Sequence, residues 1–165
     1  MDPVAAIDGV ERIPLRQIPA EGGAVLHMLR ADAPHFTGFG EVYFSECLPG
    51  AIKAWKRHRE MTQNFAVPSG RIRVVIYDDR ENSPTRGTVA EHTLGRPDSY
   101  CLLRIPPMVW YGFTAADAAG GIICNCADMT HRPEESERIA ADSPAIPYVW
   151  PELREAVPGS PPKER

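Results

Sequence analysis

The sequence predicts an all-β fold, a sandwich or closed barrel built from short strands. Three observations carry that expectation. Apolar residues fall in short continuous or alternating runs rather than in helical stripes. Turn chemistry recurs between the runs at near-regular spacing, as it does in sandwiches and barrels. Proline occurs 17 times in 165 residues, about twice its usual share, and each one removes a backbone donor and interrupts a helix interior.

Taken in chain order, strands are expected over residues 24–29, 41–48, 61–67, 71–77, 88–94, 100–105 and 121–127. Pro49-Gly50, Pro68-Ser69-Gly70, Asn82-Ser83-Pro84, Gly95-Arg96-Pro97-Asp98 and Ala119-Gly120-Gly121 supply turns between them. Within 71–77, Ile72, Val74 and Ile76 share one face while Arg71, Arg73 and Tyr77 share the other, the period of a half-buried strand. One short helix is expected towards the C-terminus, over 133–140, because Pro133, Glu134 and Glu135 make a favourable first turn. Residues 152–165, with Pro158, Gly159, Pro161 and Pro162, read as a poorly ordered tail or as an arm on a partner.

The length suits one domain with a substantial core. Hydrophobic residues at 43% and charged residues at 24% match globular proteins and argue against disorder. A net charge of −4 and the lack of any Lys/Arg run argue against a nucleic-acid or anionic-membrane partner. No apolar stretch reaches the length of a membrane span. The start Met1-Asp2-Pro3 lacks the basic and apolar regions of a signal peptide, so a cytoplasmic location is expected. Cys47, Cys101, Cys124 and Cys126 are too scattered for a disulfide scaffold and are expected as free thiols. The Cys124-x-Cys126 pair has no second pair to complete a zinc cluster.

Four segments carry a more specific pattern. The first is Trp55-Lys56-Arg57-His58 followed by Gln63 and Gly70, and the second runs Tyr77-Asp78-Asp79-Arg80-Glu81-Asn82-Ser83-Pro84-Thr85-Arg86-Gly87. The third is Ile105-Pro106-Pro107-Met108-Val109-Trp110-Tyr111-Gly112-Phe113, and the fourth runs from Asp142-Ser143-Pro144 to Trp150-Pro151. In order and spacing, over about residues 41–151, they resemble the dTDP-4-dehydrorhamnose 3,5-epimerase family of the cupin superfamily, of which the chain looks like a divergent member. The resemblance implies a cupin jelly-roll barrel over residues 1–151 with one short C-terminal helix. It also implies a homodimer, with residues before about Phe44 contributing to the interface. His58, Gln63 and Gly70 match the spacing of the first cupin motif. The positions where metal-binding cupins carry further ligands hold Lys56, Gln63 and Tyr111, a poor set for Zn²⁺ or Fe²⁺, so neither metal nor other cofactor is expected.

Members of that family epimerise 4-keto sugars attached to a nucleoside diphosphate, and such a sugar is the partner the resemblance implies. A ketone acidifies the neighbouring C–H bonds, so the chemistry needs a base poised near neutrality, a donor that holds the enolate, and an acid on the opposite face. By the resemblance, His58 is the base. The family's enolate-stabilising lysine falls on Gln63, its acid tyrosine on Cys124, and its histidine in the Gly-Phe turn on Tyr111, a second candidate acid. Its phosphate-binding arginine falls on Trp55, and the aspartate that orients the base has no match beyond Glu164. Arg57, Arg59, Arg73 and Arg80 are candidates for the pyrophosphate, with Arg80 alone matched. The bland alternatives are that His58 is a surface residue in a charged run, that Cys124 and Cys126 are small core residues, and that the arginines are solvated. His27, His35, His92 and His131 read as structural or exposed. Two other classes stay open: a sugar-nucleotide-binding module without catalysis, and a metal-dependent cupin enzyme.

Overall fold

The computed structural model describes residues 6–155. Among them are strands β1 (Glu11–Pro14), β2 (Gln17–Ala20), β3 (Gly23–Leu26), β4 (Glu41–Cys47), β5 (Ile52–His58), β6 (Gln63–Tyr77), β7 (Val89–Gly95), β8 (Cys101–Ile105), β9 (Trp110–Ala115), β10 (Gly121–Ala127) and β11 (Ser136–Arg138). A single short α-helix, α1 (Pro151–Glu155), follows them. The all-β jelly-roll expectation holds. No helix among the described residues is long and apolar enough to cross a membrane.

Every pairing is antiparallel, and β6 organises the whole. Its first half pairs with β8 and β10, and these in turn pair with β1 and β4, giving one wall in the order β1-β8-β6-β10-β4. Its second half pairs with β7 and β9, and the second wall runs β7-β6-β9-β5-β11. The sequence Pro68-Ser69-Gly70 is therefore not a turn between two strands but a bend inside one 15-residue strand. Gly70 sits there at φ +74°, a left-handed conformation that glycine adopts without steric penalty.

The two inner faces bury the main core. Ile72, Val74 and Ile76 are fully buried there with Phe65, Leu94, Leu103, Ile105 and Ile123, as the alternation in 71–77 requires. Each such side chain contributes about 1.5–3 kcal/mol through its burial. On the outer face of the second wall, Trp55, Val75 and Trp110 pack with Ile146 and Trp150. That second cluster is why the chain after β11 folds back across the barrel.

The expected helix over 133–140 is not formed. Pro133–Glu135 makes a single 3₁₀ turn, and Ser136–Arg138 then continues as β11 against β5. The proline and acids specify the opening of a helical turn, but no apolar stripe follows to extend it, and the edge of β5 takes the backbone hydrogen bonds instead. The helix that does form, α1, begins where the tail was expected. The rest of the tail, including Glu164, lies outside the described residues.

One core residue makes stability depend on pH. His92 is buried on the inner face of β7, and neither ring nitrogen has a partner among the described residues. Burial, assisted by the Arg12 charge, pushes its pKa down to about 4 from the ordinary 6.5. The unfolded chain therefore takes up this proton first. The stability that depends on neutral His92 is complete above pH 6.5 and is lost as pH falls towards 4, by up to about 3 kcal/mol at 1.36 kcal/mol per unit. His92→Leu is expected to flatten that limb. Urea midpoints of variant and wild type compared at pH 7 and 4.5 check it, and equal acid losses in the two would refute it.

Candidate active site

The open end of the barrel holds a cavity of about 630 Å³ between the two walls. Tyr43, Ser45, Ile123 and Asn125 line it from β4 and β10 of the first wall. Lys53, Lys56, Tyr111, Phe113 and Arg138 line it from β5, β9 and β11 of the second, and Phe65 of β6 lies between. Its polar lining is mainly basic: Lys53, Lys56, His131 and Arg138 face a single carboxylate, Glu41. Burial, with Arg138 alongside, lowers the Lys56 pKa. Lys53 reaches across to β4, where its ammonium donates to Ser45 Oγ at 2.9 Å and to the Glu46 carbonyl at 2.7 Å.

His58 ends β5 and is almost completely buried. Pairing of Ser136 opposite His58 places the preceding residue, Glu135, beside the imidazole. The Glu135 carboxylate is hydrogen-bonded to His58 Nδ1 and accepts the backbone N–H groups of Glu60 and Met61, each at 3.3 Å. Burial alone would raise the Glu135 pKa, but these bonds hold it below the ordinary carboxylate value. For His58, burial outweighs the carboxylate and lowers the pKa. At neutral pH the pair is thus an ionised Glu135 and a neutral imidazole. An ionised carboxylate only accepts, so the imidazole hydrogen sits on Nδ1 and Nε2 carries the free lone pair. Nε2 lies 3.1 Å from the Tyr111 hydroxyl, which therefore donates to it. Tyr111 is held between the His58 ring, stacked at 6.0 Å, and the edge of Phe65 at 5.5 Å. Burial raises its pKa well above the ordinary phenol value. Of this chain of three side chains, Tyr111 is the one that lines the cavity.

The first wall carries a second polar chain. Asn125 Oδ1 accepts the backbone N–H of Asn64 at 3.0 Å. Its amide nitrogen donates to Gln63 Oε1 at 2.5 Å and to the Tyr43 hydroxyl at 2.9 Å. Gln63 itself is buried behind Asn125 rather than on the cavity surface, and its Nε2 has no partner among the described residues.

Other expected site residues stand elsewhere. Cys124 and Cys126 lie on the face of β10 turned away from the cavity, since Ile123 and Asn125 occupy the inward positions. A hydrogen bond with Cys126, together with burial, raises the Cys124 pKa, so that thiol is neither placed nor poised to act on a ligand in this cavity. Arg57 is held by Glu137 at 2.5 Å and Asp79 at 3.0 Å, with its guanidinium over the Trp110 ring at 4.5 Å. Arg59 pairs with Glu137, Arg73 with Glu152 and Arg80 with the fully buried Asp78. None of these four arginines lines the cavity; their partners lie on β11, in the loop after β6 and on α1. Trp55 borders the cavity, but its indole belongs to the outer apolar cluster and its N–H is spent on the Ala141 carbonyl at 3.1 Å. Among the described residues no three His, Cys, Asp or Glu side chains converge as metal ligands.

Sequence reasoning missed Glu135, Tyr43, Asn125, Lys56 as a cavity cation, and Arg138. Two signals were available. Alternation along β4 puts Glu41, Tyr43 and Ser45 on one face, and Asn125 is a lone amide inside an apolar strand.

The chain is similar to several known proteins. A probable low-salt glycan biosynthesis epimerase of Haloferax volcanii is 34% identical over 132 residues, 78% of this chain and 84% of that one. A spore coat polysaccharide biosynthesis protein of Bacillus subtilis is 30% identical over 146 residues, 87% and 96% of the two chains. The solved structure of a dTDP sugar isomerase from Desulfovibrio desulfuricans superposes with a TM-score of 0.86 at 60% identity, covering 87% of this chain and 92% of that one. The chain belongs to the dTDP-4-dehydrorhamnose 3,5-epimerase family. No protein-family model matches the chain. The rmlC epimerase of Mycobacterium tuberculosis, at 19% identity, shares the fold with a TM-score of 0.76 over 90% of this chain and 78% of that one.

Proposed function

We propose that the protein is an epimerase or isomerase of a nucleoside-diphosphate-linked 4-keto sugar, in which His58 is the base and acts through Tyr111. The observation that carries this is the Glu135–His58–Tyr111 chain, which ends in a hydroxyl on the cavity surface. The likeness to a dTDP sugar isomerase at 60% identity supports the substrate class. Lys56 and Arg138 are the cations placed to meet a diphosphate.

The Tyr111 oxygen takes the proton from the carbon next to the ketone while its own proton moves to His58 Nε2. The C–H electron pair becomes the enolate, and the imidazolium is stabilised by Glu135. Burial makes a free Tyr111 phenolate costly, which favours the two transfers occurring together.

The test is incubation with a dTDP-4-keto-6-deoxyhexose in D₂O, read by mass spectrometry and NMR. Deuterium is expected at a carbon beside the ketone, and Tyr111→Phe is expected to slow its uptake by about 10²–10⁴-fold, the worth of a positioned acid–base group. No uptake by wild type with any such sugar would sink the reading. If dTDP still binds in that case, the protein is a sugar-nucleotide-binding module instead.

A further inference from the structure

We infer that Tyr43 is a second catalytic residue, giving a proton to the substrate from the wall opposite Tyr111, and that Asn125 is its positioning residue. The inference rests on the function proposed above and adds to it the group that returns the proton.

The hydrogen bonds around Asn125 have fixed directions. Asn64 presents a backbone N–H, which can only donate, so the atom of Asn125 that meets it must be the oxygen. The amide nitrogen of Asn125 therefore faces both Gln63 Oε1 and the Tyr43 hydroxyl. It has two hydrogens, and these two acceptors use both of them. The Tyr43 oxygen is thereby forced to accept, and its own O–H hydrogen must point somewhere else. Among the described residues it meets no acceptor, and Tyr43 lines the cavity. The phenol is thus a donor without a protein partner, aimed at the space a ligand would fill.

Placement supplies the rest. Tyr43 stands on β4 of the first wall and Tyr111 on β9 of the second, so the two hydroxyls approach a bound ring from different sheets. Inversion at carbon needs this arrangement: a proton leaves one face and another arrives at the opposite face. Burial raises the Tyr43 pKa, which keeps the phenol protonated at neutral pH and ready to give. In the step itself, the enolate electron pair forms the new C–H bond as the Tyr43 O–H bond breaks. The phenolate left behind keeps the Asn125 hydrogen bond and recovers a proton from water once product leaves. Cys124, on the far face of β10, cannot fill this role.

The experiment follows deuterium exchange and net inversion of the same 4-keto nucleotide sugar in D₂O. Tyr43→Phe removes one oxygen from a side chain at the cavity surface and should fold like wild type, which its melting temperature checks. It is expected to lose inversion by about 10²–10⁴-fold while exchange continues. Asn125→Asp replaces the donor amide by an acceptor that can still take the Asn64 N–H. It should turn the Tyr43 hydrogen away from the cavity and reproduce that split, which a merely structural lesion would not, since it would lower both rates together. Inversion by Tyr43→Phe at the wild-type rate would overturn the inference, as would parallel loss of exchange and inversion. A wild type that exchanges without inverting also overturns it. A wild type that does neither removes the proposed function and this inference with it.

Discussion

Glu135→Gln is expected to slow deuterium exchange into a 4-keto nucleotide sugar by about 10²–10⁴-fold while leaving the barrel folded. The change is almost isosteric, so its effect is electronic. In the native protein the carboxylate fixes the imidazole hydrogen on Nδ1 and leaves Nε2 free to accept from Tyr111. With an amide there, the carbonyl oxygen is claimed by the N–H groups of Glu60 and Met61, and the NH₂ faces His58 Nδ1. Two donors would then oppose each other. The imidazole relieves this by moving its hydrogen to Nε2, which reverses the bond to Tyr111 and removes the base. The negative charge that stabilises the imidazolium is lost as well. His58→Asn should be at least as damaging. Since burial lowers the His58 pKa, the wild-type exchange rate should fall only when pH drops below 6.5, its ordinary value. Exchange by Glu135→Gln at the wild-type rate would mean that the buried pair serves stability alone.

The largest effect on stability is expected from Gly70→Ala. A Cβ built at Gly70 would lie 2.1 Å from the Gly120 carbonyl oxygen and 2.6 Å from the Gly121 Cα. Both are backbone atoms, at the start of the paired strand β10 and in the residue before it, and neither can swing aside. The left-handed φ adds about 1–2 kcal/mol, and forcing two strands apart in a packed barrel adds about 1–3 kcal/mol more. Together, about 2–5 kcal/mol, these are a large fraction of the stability of an ordinary domain, about 5–15 kcal/mol. Gly50 provides the control, because it has the same φ of +74° but no atom within 4 Å of its Cβ position. Gly50→Ala should show the backbone term alone. Urea unfolding of the pair separates the two contributions, and equal losses would show that the collision at Gly70 is relieved at no cost.

These two sites show what the sequence made legible and what it hid. The Ile72, Val74 and Ile76 face was readable because each residue reports its own burial through a period of two. β5 was not: Lys53 and Lys56 look solvated but line the cavity, and Arg57 looks solvated until Glu137 and Asp79 arrive from elsewhere in the chain. Glu135 was invisible for the same reason: it lies 77 residues from His58, and its local setting suggested a helix start. Cys124 lies one position away from a residue that lines the cavity, Asn125. β10 pairs with β4 without a break from Gly121 to Ala127, so its side chains alternate strictly, and in a strand one residue separates the inner face from the outer one. The inward positions belong to Ile123 and Asn125, and alternation alone does not say which of the two faces of a strand is the inner one.

The sharing of β6 between both walls has a mechanical consequence. Tyr111 stands one strand away from β6 on one side, and Tyr43 stands two strands away on the other. The span between the two phenols is therefore gauged by the bend at Pro68–Gly70 rather than by loops. A caliper with both jaws on one bar cannot widen one jaw alone. A ligand too thick for that span would have to distort the bar itself. Size discrimination then belongs to the scaffold, and it should survive changes in the surface loops that would alter other features of binding.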